Sequence, residues 1–418
     1  MINYLHVLKI TILSLILIVF NNSIITYAME APSISAQNAI SIDMKTGEII
    51  YSKNIDENVQ PASVTKLLTA LLLDEHKKKD DLLFYSKDAL DQPSSSIFVD
   101  FSAEVVEGDE ILASTVMDAL LIYSANDIAT LIADNIAGNT DEFSLLMDKK
   151  AKEIGMENSN FYTPSGLDND KRLYGNEHYT SAYDLSKLGI EALKSDWIRE
   201  TIAKEKDITL DIANDTPIII DNTNNNLGKN GCIGGKTGFT DKAQRCLLSF
   251  YERDDRYILG VVLGCPTRPD SFKDMTALID YSYKVPKTLA YKKGDTVSTE
   301  TIDFKPLGFF GPSLNKQVTI IADEDISFFA NEENNSIEPE ISLKNLSIAN
   351  LSSEKEIGTL TYTFRDNISS FKLSTLETRS NFIKDAKWIY IILILCLISI
   401  ISVCILCYKY LIKKKIKS

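Results

Sequence analysis

The chain has 418 residues, enough for two or three domains of ordinary size. Hydrophobic residues make up 44% and charged residues 24% of the sequence, a composition typical of globular proteins and not of disordered ones. The formal net charge of −14 argues against a nucleic-acid partner, because nucleic-acid-binding proteins present a basic face.

Residues 1–28 have the layout of a secretory signal peptide. One lysine, Lys9, precedes the apolar run 10–20, and the small residue Ala28 ends the segment. These features predict cleavage after Ala28 and export of the remaining chain. An uncleaved N-terminal anchor is the alternative, although the apolar run is short for a membrane span.

Residues 30–285 have the pattern of a domain that combines helices with one sheet. Residues 38–54 alternate apolar and polar side chains around a Thr-Gly turn, which predicts a β-hairpin. Residues 80–140 are predicted to be mainly helical, because their apolar residues recur at helical spacing. Three strand patterns follow within 231–265, and a helical pattern ends the region. We therefore predict an α+β or α/β domain in which helices cover a sheet.

The sequence changes character after this region. Residues 291–378 contain short alternating stretches separated by Gly, Asn and Asp, which predict a small all-β, sandwich-like domain. Residues 388–408 are predicted to form a transmembrane helix, because no charge occurs from 388 to 407. The basic tail 409–418 would then be cytoplasmic, with the catalytic domain on the outer side of the cell membrane. An amphipathic surface helix is the alternative, but it would need a charged face.

Cysteine and histidine usage points away from metal chemistry. Three of the six cysteines lie in the predicted span, and the odd number outside it cannot all pair, so we expect Cys232, Cys246 and Cys265 to be mostly buried. No cluster of Cys and His has metal-ligand spacing, so neither a metal nor another cofactor is expected. A histidine-based triad would have to use His76 or His178, and neither has a recognisable catalytic context.

Ser63 and Lys66 lie three positions apart at the start of an apolar helical segment, where this spacing makes them neighbours. Burial disfavours the charged form of a lysine, and a neutral amine can take the proton of a neighbouring serine. The alternative is that Lys66 reaches solvent while Ser63 only caps the helix. Other Ser-x-x-Lys pairs lie in the predicted β domain, where such spacing does not join side chains: Ser313/Lys316, Ser352/Lys355 and Ser369/Lys372.

Two further short motifs follow in chain order. Ser124 and Asn126 are separated by one residue between two apolar helical stretches, so both can face a cleft from a tight turn. Lys236-Thr237-Gly238 lies on a predicted strand, where Thr237 belongs to the opposite face and local twist must bring it to the cleft. A glycine there lets a substrate backbone approach and pair along the strand edge. Both patterns recur elsewhere in the chain, so neither is specific alone.

Taken together and in this order, the three motifs resemble those of the penicillin-recognising serine acyltransferases. Within that group the chain is similar to the serine-type D-alanyl-D-alanine carboxypeptidases, the low-molecular-mass penicillin-binding proteins of peptidase family S11. The likeness extends over about residues 35–375 and includes the segments "NFYTPSGLDND" and "HYTSAYDLSKL". It implies a catalytic domain with the fold of β-lactamases and transpeptidases, built on an antiparallel sheet. Ala125 replaces the glycine found in many relatives, a minor departure.

The resemblance also implies a reaction and a set of catalytic residues. The substrate would be the stem peptide of peptidoglycan, from which the enzyme removes the terminal D-alanine during cell-wall synthesis. Ser63 would attack the carbonyl between the two D-alanines, and Lys66 would take its proton. Ser124 would pass that proton to the leaving amine. β-Lactams would acylate the same serine and leave slowly.

The substrate-binding residues are implied in the same way. Asn126 would hold Lys66 and the substrate amide. Lys236 and Thr237 would bind the terminal carboxylate, a charge-assisted contact that suits an exopeptidase. Gly238 would give the substrate access to the strand edge, and the backbone N–H of Phe239 would form the oxyanion hole together with that of Ser63.

Two other functions share these motifs. A class A β-lactamase deacylates through a glutamate on a loop between the second and third motifs, and no Glu-x-x-Leu-Asn-type stretch occurs there. A penicillin-sensing receptor is a binding module that stays acylated, and it needs intracellular signalling machinery. Only the ten residues 409–418 follow the predicted span, so the carboxypeptidase remains the prediction.

Overall fold

The computed structural model describes most of the chain beyond the predicted signal peptide. Residues 1–28, to which that peptide was assigned, lie outside the described part. The described residues are 29–417 without 93–94, 169–176, 213–216, 309–310, 345, 348–350 and 352–355. Contacts divide the chain into Met1–Ser33 and Ile34–Ser418, and every element below belongs to the second unit.

The first region of the fold contains nine described strands and nine described helices. The strands are β1 (Asn38–Asp43), β2 (Ile49–Lys53), β3 (Leu82–Phe84), β4 (Glu110–Leu112), β5 (Ile208–Leu210), β6 (Ile218–Ile220), β7 (Cys232–Thr240), β8 (Gln244–Arg253) and β9 (Arg256–Cys265). The helices are α1 (Lys66–His76), α2 (Lys87–Leu90), α3 (Ile97–Asp100), α4 (Ala113–Asp118), α5 (Asn126–Ala137), α6 (Thr140–Glu153), α7 (Ala182–Ala192), α8 (Asp196–Ile202) and α9 (Arg268–Lys284). A 3₁₀ turn, Ala62–Thr65, leads into α1, and a π-helical turn, Ala119–Tyr123, continues α4.

A five-stranded antiparallel sheet lies at the centre of this region. Its strand order is β2-β1-β9-β8-β7, which leaves β7 at an edge. Asp254 and Asp255 connect β8 to β9 with φ angles of 49° and 59°. A left-handed pair of this kind matches the twist of two antiparallel strands joined by a two-residue turn. The predicted helix-covered sheet is therefore confirmed, and its strands are antiparallel as the resemblance implied.

Helices cover both faces of the sheet because apolar side chains occupy both faces of its central strands. On one face Leu248 and Val261 pack into the core that contains α1 and α7. On the other face Leu247 and Val262 pack against α9. Burial on both faces explains why β8 and β9 are nearly continuous apolar runs.

Residues 80–140 are less helical than the sequence pattern predicts. Strands β3 and β4 pair there over three residues each. Strands β5 and β6, which are not among the predicted strands, form another three-residue pair. Three residues are too few for an alternating pattern to be recognised, so sequence reasoning could not separate these strands from loops.

The remainder of the fold is mainly β. Its elements are β10 (Lys287–Tyr291), β11 (Thr296–Phe304), β12 (Leu314–Ala322), β13 (Ile326–Phe329), α10 (Glu332–Asn335), β14 (Glu340–Leu343), β15 (Gly358–Phe364), β16 (Asn367–Ser374), α11 (Arg379–Asp385) and α12 (Lys387–Lys417). Strands β11-β12-β16-β15-β14 form an antiparallel sheet, and β10 pairs with β13. We call the part from β10 to β16 the β module. Its predicted all-β character is confirmed.

Ion pairs hold the β module against the hairpin of β1 and β2 and the segment that follows it. Arg365 donates to both carboxylate oxygens of Asp56, at 2.7 and 2.8 Å, and also to Glu333. Lys287 of β10 forms an ion pair of 2.6 Å with Glu48 in the turn of the hairpin. The contacts of Arg365 with Asp56 and of Lys287 with Glu48 cross from one region to the other and fix their relative position.

Helix α12 contains a segment long and apolar enough to cross a membrane. Among the described residues Lys387–Lys413 alone meets this criterion, with a mean hydropathy of 3.2 in its most apolar window. The span predicted from the sequence, 388–408, lies within it. The side chains of this segment are mostly exposed, as they would be in a helix surrounded by lipid.

Candidate active site

Ser63 lies in the 3₁₀ turn that leads into α1. The turn is held in place because Val64, Leu67 and Leu68 are completely buried in the main core. No side chain caps either the turn or the helix. The alternative in which Ser63 only caps the helix is therefore wrong, and its hydroxyl is available for other contacts.

Lys66 is completely buried beside Ser63. Its Nζ donates to Ser63 Oγ at 3.0 Å, to Asn126 Oδ1 at 2.8 Å and to the carbonyl oxygen of Ser165 at 2.9 Å. The alternative in which Lys66 extends into solvent is also wrong. All three acceptors are neutral, so hydrogen bonds satisfy the amine without a carboxylate partner.

This environment changes the protonation of two lysines. Burial lowers the pKa of Lys66 well below its ordinary value; the neighbouring cation Lys236 lowers it further, while Asp127 partly opposes the change. Burial also lowers the pKa of Lys236 to about 7. The neutral amine of Lys66 is thus more accessible than that of an exposed lysine, and the Nζ–Oγ distance is suitable for transfer of the Ser63 proton.

Ser124 lies at the junction between the π-helical turn and α5. Its φ of 76° is left-handed, a conformation that non-glycine residues rarely adopt and that often occurs at functional sites. The kink lets Ser124 Oγ accept from Lys236 Nζ at 2.8 Å, while Asn126 begins α5 and accepts from Lys66. The tight turn expected from the sequence thus brings the hydroxyl and the amide to the two lysines.

Lys236 and Thr237 belong to opposite faces of the edge strand β7. Lys236 is buried toward Ser124, and its Nζ also donates to the carbonyl oxygen of Thr237 at 3.0 Å. Thr237 Oγ1 donates to Thr223 Oγ1 at 2.8 Å. Thr237 lines the cleft directly, whereas Lys236 reaches it through Ser124, which lines the cleft and accepts from Lys236.

Gly238 brings the edge of β7 directly alongside the 3₁₀ turn that contains Ser63. A Cβ at this position would lie 3.1 Å from Ser63 N and 3.0 Å from the carbonyl oxygen of Pro61. Either contact would force the strand away from Ser63. The next residue, Phe239, is 44% exposed, and the guanidinium of Arg245 lies over its ring at 3.6 Å.

These elements enclose a cleft of about 200 Å³. Ser63, Ser124 and Thr237 line it together with two arginines, Arg245 and Arg268. No carboxylate belongs to this lining within the described part of the chain. The cleft is therefore electropositive and favours an anionic ligand.

The structure brings together every site residue predicted from the sequence, and it adds others. Arg268 and Thr223 line the cleft, where Arg268 Nη2 donates to the carbonyl oxygen of Thr223 at 3.1 Å. Ser165 supplies the third acceptor for Lys66. The segment that contains Ser165 was part of the family resemblance, but a role for its carbonyl oxygen depends on contacts between distant residues, which no local pattern records.

His178 also supports the site, although it has no place in a triad. The backbone N–H groups of Tyr162 and Thr163 donate to its Nδ1 at 3.1 and 3.2 Å. Nε2 therefore carries the proton and donates to Thr65 Oγ1 at 3.0 Å. Burial lowers the pKa of His178 to about 4, so the ring is neutral. Its hydrogen bonds join the segment of Tyr162 and Thr163, which precedes Ser165, to the 3₁₀ turn that contains Ser63.

The described residues contain no group of three or more His, Cys, Asp or Glu that could hold a metal ion. Cys232, Cys246 and Cys265 are free, and all three are buried, as expected from the sequence. The chemistry available in the cleft thus comes from hydroxyl, amine, amide and guanidinium groups.

Comparison with protein families and curated proteins gives a consistent result. The family model described as D-alanyl-D-alanine carboxypeptidase, Peptidase S11, matches residues 25–267, more than half of the chain. The D-alanyl-D-alanine carboxypeptidase DacF of Bacillus subtilis is 29% identical over 332 residues, which cover 78% of this chain and 80% of that protein. DacC of Escherichia coli is 29% identical over 285 residues, which cover 66% of this chain and 68% of that protein.

Solved structures share the fold. The D-alanyl-D-alanine carboxypeptidase DacD of Francisella tularensis aligns with a TM-score of 0.61 over 84% of this chain and 94% of that chain, at 21% identity. Penicillin-binding protein D2 of Listeria monocytogenes, in its ampicillin-bound form, aligns with a TM-score of 0.52 at 28% identity. That alignment covers 60% of this chain and 98% of the Listeria chain.

Proposed function

Because this chain belongs to the S11 family of D-alanyl-D-alanine carboxypeptidases, we propose that it is a serine hydrolase of peptidoglycan stem peptides. It removes the terminal D-alanine from a peptide that ends in D-Ala-D-Ala. The reaction passes through an ester between the peptide and Ser63, and β-lactams inhibit it by forming a more stable ester with the same serine. The reaction needs no cofactor.

Acylation begins when neutral Lys66 takes the proton of Ser63 and the alkoxide attacks the carbonyl carbon between the two D-alanines. The contact of 3.0 Å between Lys66 Nζ and Ser63 Oγ supports this step. The tetrahedral oxyanion is stabilised by the backbone N–H groups of Ser63 and Phe239. Ser124, which accepts from Lys236, passes a proton to the departing amine, and Asn126 keeps Lys66 and the substrate amide in position.

Recognition of a free carboxylate restricts the reaction to the end of the peptide. Lys236 and Thr237 bind that carboxylate at the edge of β7, and Gly238 lets the peptide backbone pair with the strand. The electropositive lining of the cleft supports this assignment. A substrate whose last carboxyl group is amidated would lose the charge-assisted contact and would react poorly.

Water completes the cycle by hydrolysing the acyl-enzyme. In the described part of the chain no carboxylate forms a hydrogen bond with Lys66 or Ser63, which favours slow release of β-lactams over rapid β-lactamase turnover. A penicillin-sensing receptor would use the same acylation step and then stop. The family to which the chain belongs favours the carboxypeptidase over this second function.

The observation that carries the proposal is the completely buried amine of Lys66, which contacts Ser63 and whose hydrogen-bond acceptors among the described residues are all neutral. The test is D-alanine release from a D-Ala-D-Ala peptide by the full chain in detergent, compared with Ser63→Ala. Ser369→Ala is the matched control, because Ser369 begins another Ser-x-x-Lys pair within β16. Release should disappear only in Ser63→Ala. Penicillin labelling of Ser63 without release would favour the receptor.

We propose the same overall organisation for the mature chain as the sequence predicts. After removal of residues 1–28, a catalytic domain of 30–285 and a β domain of 291–378 lie outside the cell membrane. Residues 388–408 span it, and 409–418 form the cytoplasmic tail. The length and hydropathy of Lys387–Lys413 support the anchor. Resistance of the full chain to extraction by alkaline carbonate, lost on deletion of 388–418, tests it.

A further inference from the structure

A cavity of about 350 Å³ lies beside the first turn of α12, far along the chain from the residues of the candidate active site. Its wall consists of the loop after β11 and of α11. Lys305 and Pro306 line it from the loop, Arg379 and Ile383 from α11, and Tyr390 from α12. The cavity therefore combines two cations with apolar and aromatic groups.

A hydrogen bond fixes the position of this cavity relative to the apolar segment. Tyr390 Oη donates to the carbonyl oxygen of Pro306 at 2.7 Å. Tyr390 lies in the uncharged part of α12, which begins at Trp388. If α12 spans the membrane, as proposed above, the loop at Pro306 and the cavity lie at the level of the lipid headgroups. Aromatic residues with one polar atom typically occupy that level.

The cations of the cavity remain available for an external anion. Lys305 and Arg379 are exposed, and neither forms an ion pair with another residue in the described part of the chain. Two carboxylates of this region, Glu377 and Asp385, are already engaged, because Lys316 pairs with them at 3.1 and 2.6 Å. An arginine and a lysine together are a common arrangement for binding phosphate.

Two buried aromatic rings line the apolar part of the cavity. The rings of Phe304 and Phe382 pack edge to face with centroids 5.1 Å apart, and both side chains are buried in the core of the β module. Ile383, in contrast, is 46% exposed at the rim. An exposed apolar side chain next to a membrane-facing cation suits a ligand with a charged head and an apolar body.

We propose that this cavity binds the headgroup of an anionic phospholipid in the leaflet that faces the catalytic domain. Lys305 and Arg379 contact the phosphate, and Ile383 contacts the glycerol and the first methylene groups. The bound lipid would fix the β module against the membrane surface and so set the height of the active site above it. This inference rests on the proposed anchor but not on the proposed enzymatic reaction.

The test uses the full chain in nanodiscs of equal parts phosphatidylcholine and phosphatidylglycerol. After transfer to mild detergent, native mass spectrometry counts the lipids that remain bound. We expect one phosphatidylglycerol to be retained in preference to phosphatidylcholine. The double variant Lys305→Gln/Arg379→Gln should reduce that retention by roughly 10- to 30-fold, because each basic residue near an anionic lipid contributes a factor of about three to five.

The double variant Lys384→Gln/Lys387→Gln is the matched control. It removes the same charge from the same region, but neither lysine lines the cavity. The inference predicts that its lipid retention stays near the wild-type level. Equal losses in the two double variants would overturn it in favour of a general surface charge, and displacement of the lipid by millimolar inorganic phosphate would reassign the site to free phosphate. Nanodisc incorporation and D-alanine release, measured on the same samples, report separately on the anchor and on the reaction.

Discussion

Two Ser-x-x-Lys sequences in this chain differ in whether their serine and lysine are in contact. Ser63 and Lys66 lie in the helical part of the catalytic region, where one turn of helix brings the amine to the hydroxyl. Ser313 and Lys316 lie before and within β12, where no hydrogen bond connects this described pair and Lys316 instead binds Glu377 and Asp385. The same four-residue pattern therefore produces a contact only where the backbone is helical.

The electrostatic difference is as large as the geometric one. Burial lowers the pKa of Lys66 well below its ordinary value, and the charge of Asp127 opposes the change only in part. Partial burial also acts to lower the pKa of Lys316, but hydrogen bonds to Asp385 and Glu377 outweigh it and raise that pKa. A lysine becomes a candidate base where its acceptors are neutral and a structural cation where they are charged.

Replacement of the two lysines by arginine should produce the largest difference. Arginine keeps the positive charge but cannot lose its proton. Lys66→Arg should therefore slow D-alanine release by roughly 10²- to 10⁴-fold, the usual contribution of a general base. Lys316→Arg should leave release unchanged, because an arginine can keep both ion pairs. Similar rates for Lys66→Arg and wild type would remove Lys66 from the role of base.

His178 extends the comparison to a buried group that is held neutral. Its pKa of about 4 lies below that of an unfolded histidine, so the unfolded chain takes up the proton first as the pH falls. The free energy of unfolding should lose up to about 3 kcal/mol between pH 6.5 and 4 from this residue alone. Denaturant titrations of His178→Gln should show a correspondingly smaller loss of the free energy of unfolding over this range. The control His76→Gln, at an exposed position, should show the same loss as the wild type. An unchanged pH dependence in His178→Gln would contradict the neutral buried ring.

The ion pairs of the β module should affect stability without affecting the reaction. Arg365→Met leaves Asp56 and Glu333 without their shared cation. Because Arg365 is 26% exposed, we expect the free energy of unfolding to fall by roughly 1–3 kcal/mol, less than for a fully buried pair. Lys344→Met breaks the exposed pair with Glu356 and should cause no measurable change. Denaturant titrations give both values, and reduced D-alanine release in folded Arg365→Met would show that the two regions are coupled.

Replacement of Lys236 by arginine should produce the smallest and most specific effect, a change in the pH dependence of kcat/KM. It must be charged to bind a carboxylate, and its pKa is lowered to about 7. The value of kcat/KM should therefore fall about tenfold for each pH unit above 7 in the free enzyme. Lys236→Arg stays charged, so its profile should lack this fall even if its overall rate is lower. The same alkaline fall in both proteins would assign it to another group.

Much of the fold could be predicted because strong local patterns determine it. The alternating segment 38–54 and the apolar runs of β8 and β9 are long enough for their periodicity to be recognised. The strands β3 to β6 have three residues each, which is too short for their periodicity to be recognised. Their pairing depends on neighbours at least eight residues away, and short strands are stabilised by those neighbours more than by their own propensities.

The candidate site likewise combines contacts that local sequence predicts with contacts that depend on tertiary packing. Ser63 and Lys66 are close in sequence, so helical geometry alone predicts their contact. Bringing Lys236 to Ser124 requires the complete sheet and helical layers, and only the family resemblance anticipated it. The segments that contain His178 and Ser165 belong to the family resemblance, but no local pattern indicated their contacts, because a ring nitrogen and a backbone carbonyl are placed next to the 3₁₀ turn and Lys66 by tertiary packing.

The most direct test of this account is the protonation of the two lysines in the intact protein. Lysines labelled with ¹³C at Cε can be titrated by NMR in the full chain, and the resonances lost in Lys66→Arg and Lys316→Arg identify the two residues. The account predicts that Lys66 titrates well below the ordinary lysine range and Lys316 above it. An active enzyme in which Lys66 titrates with the ordinary pKa of a lysine would contradict it.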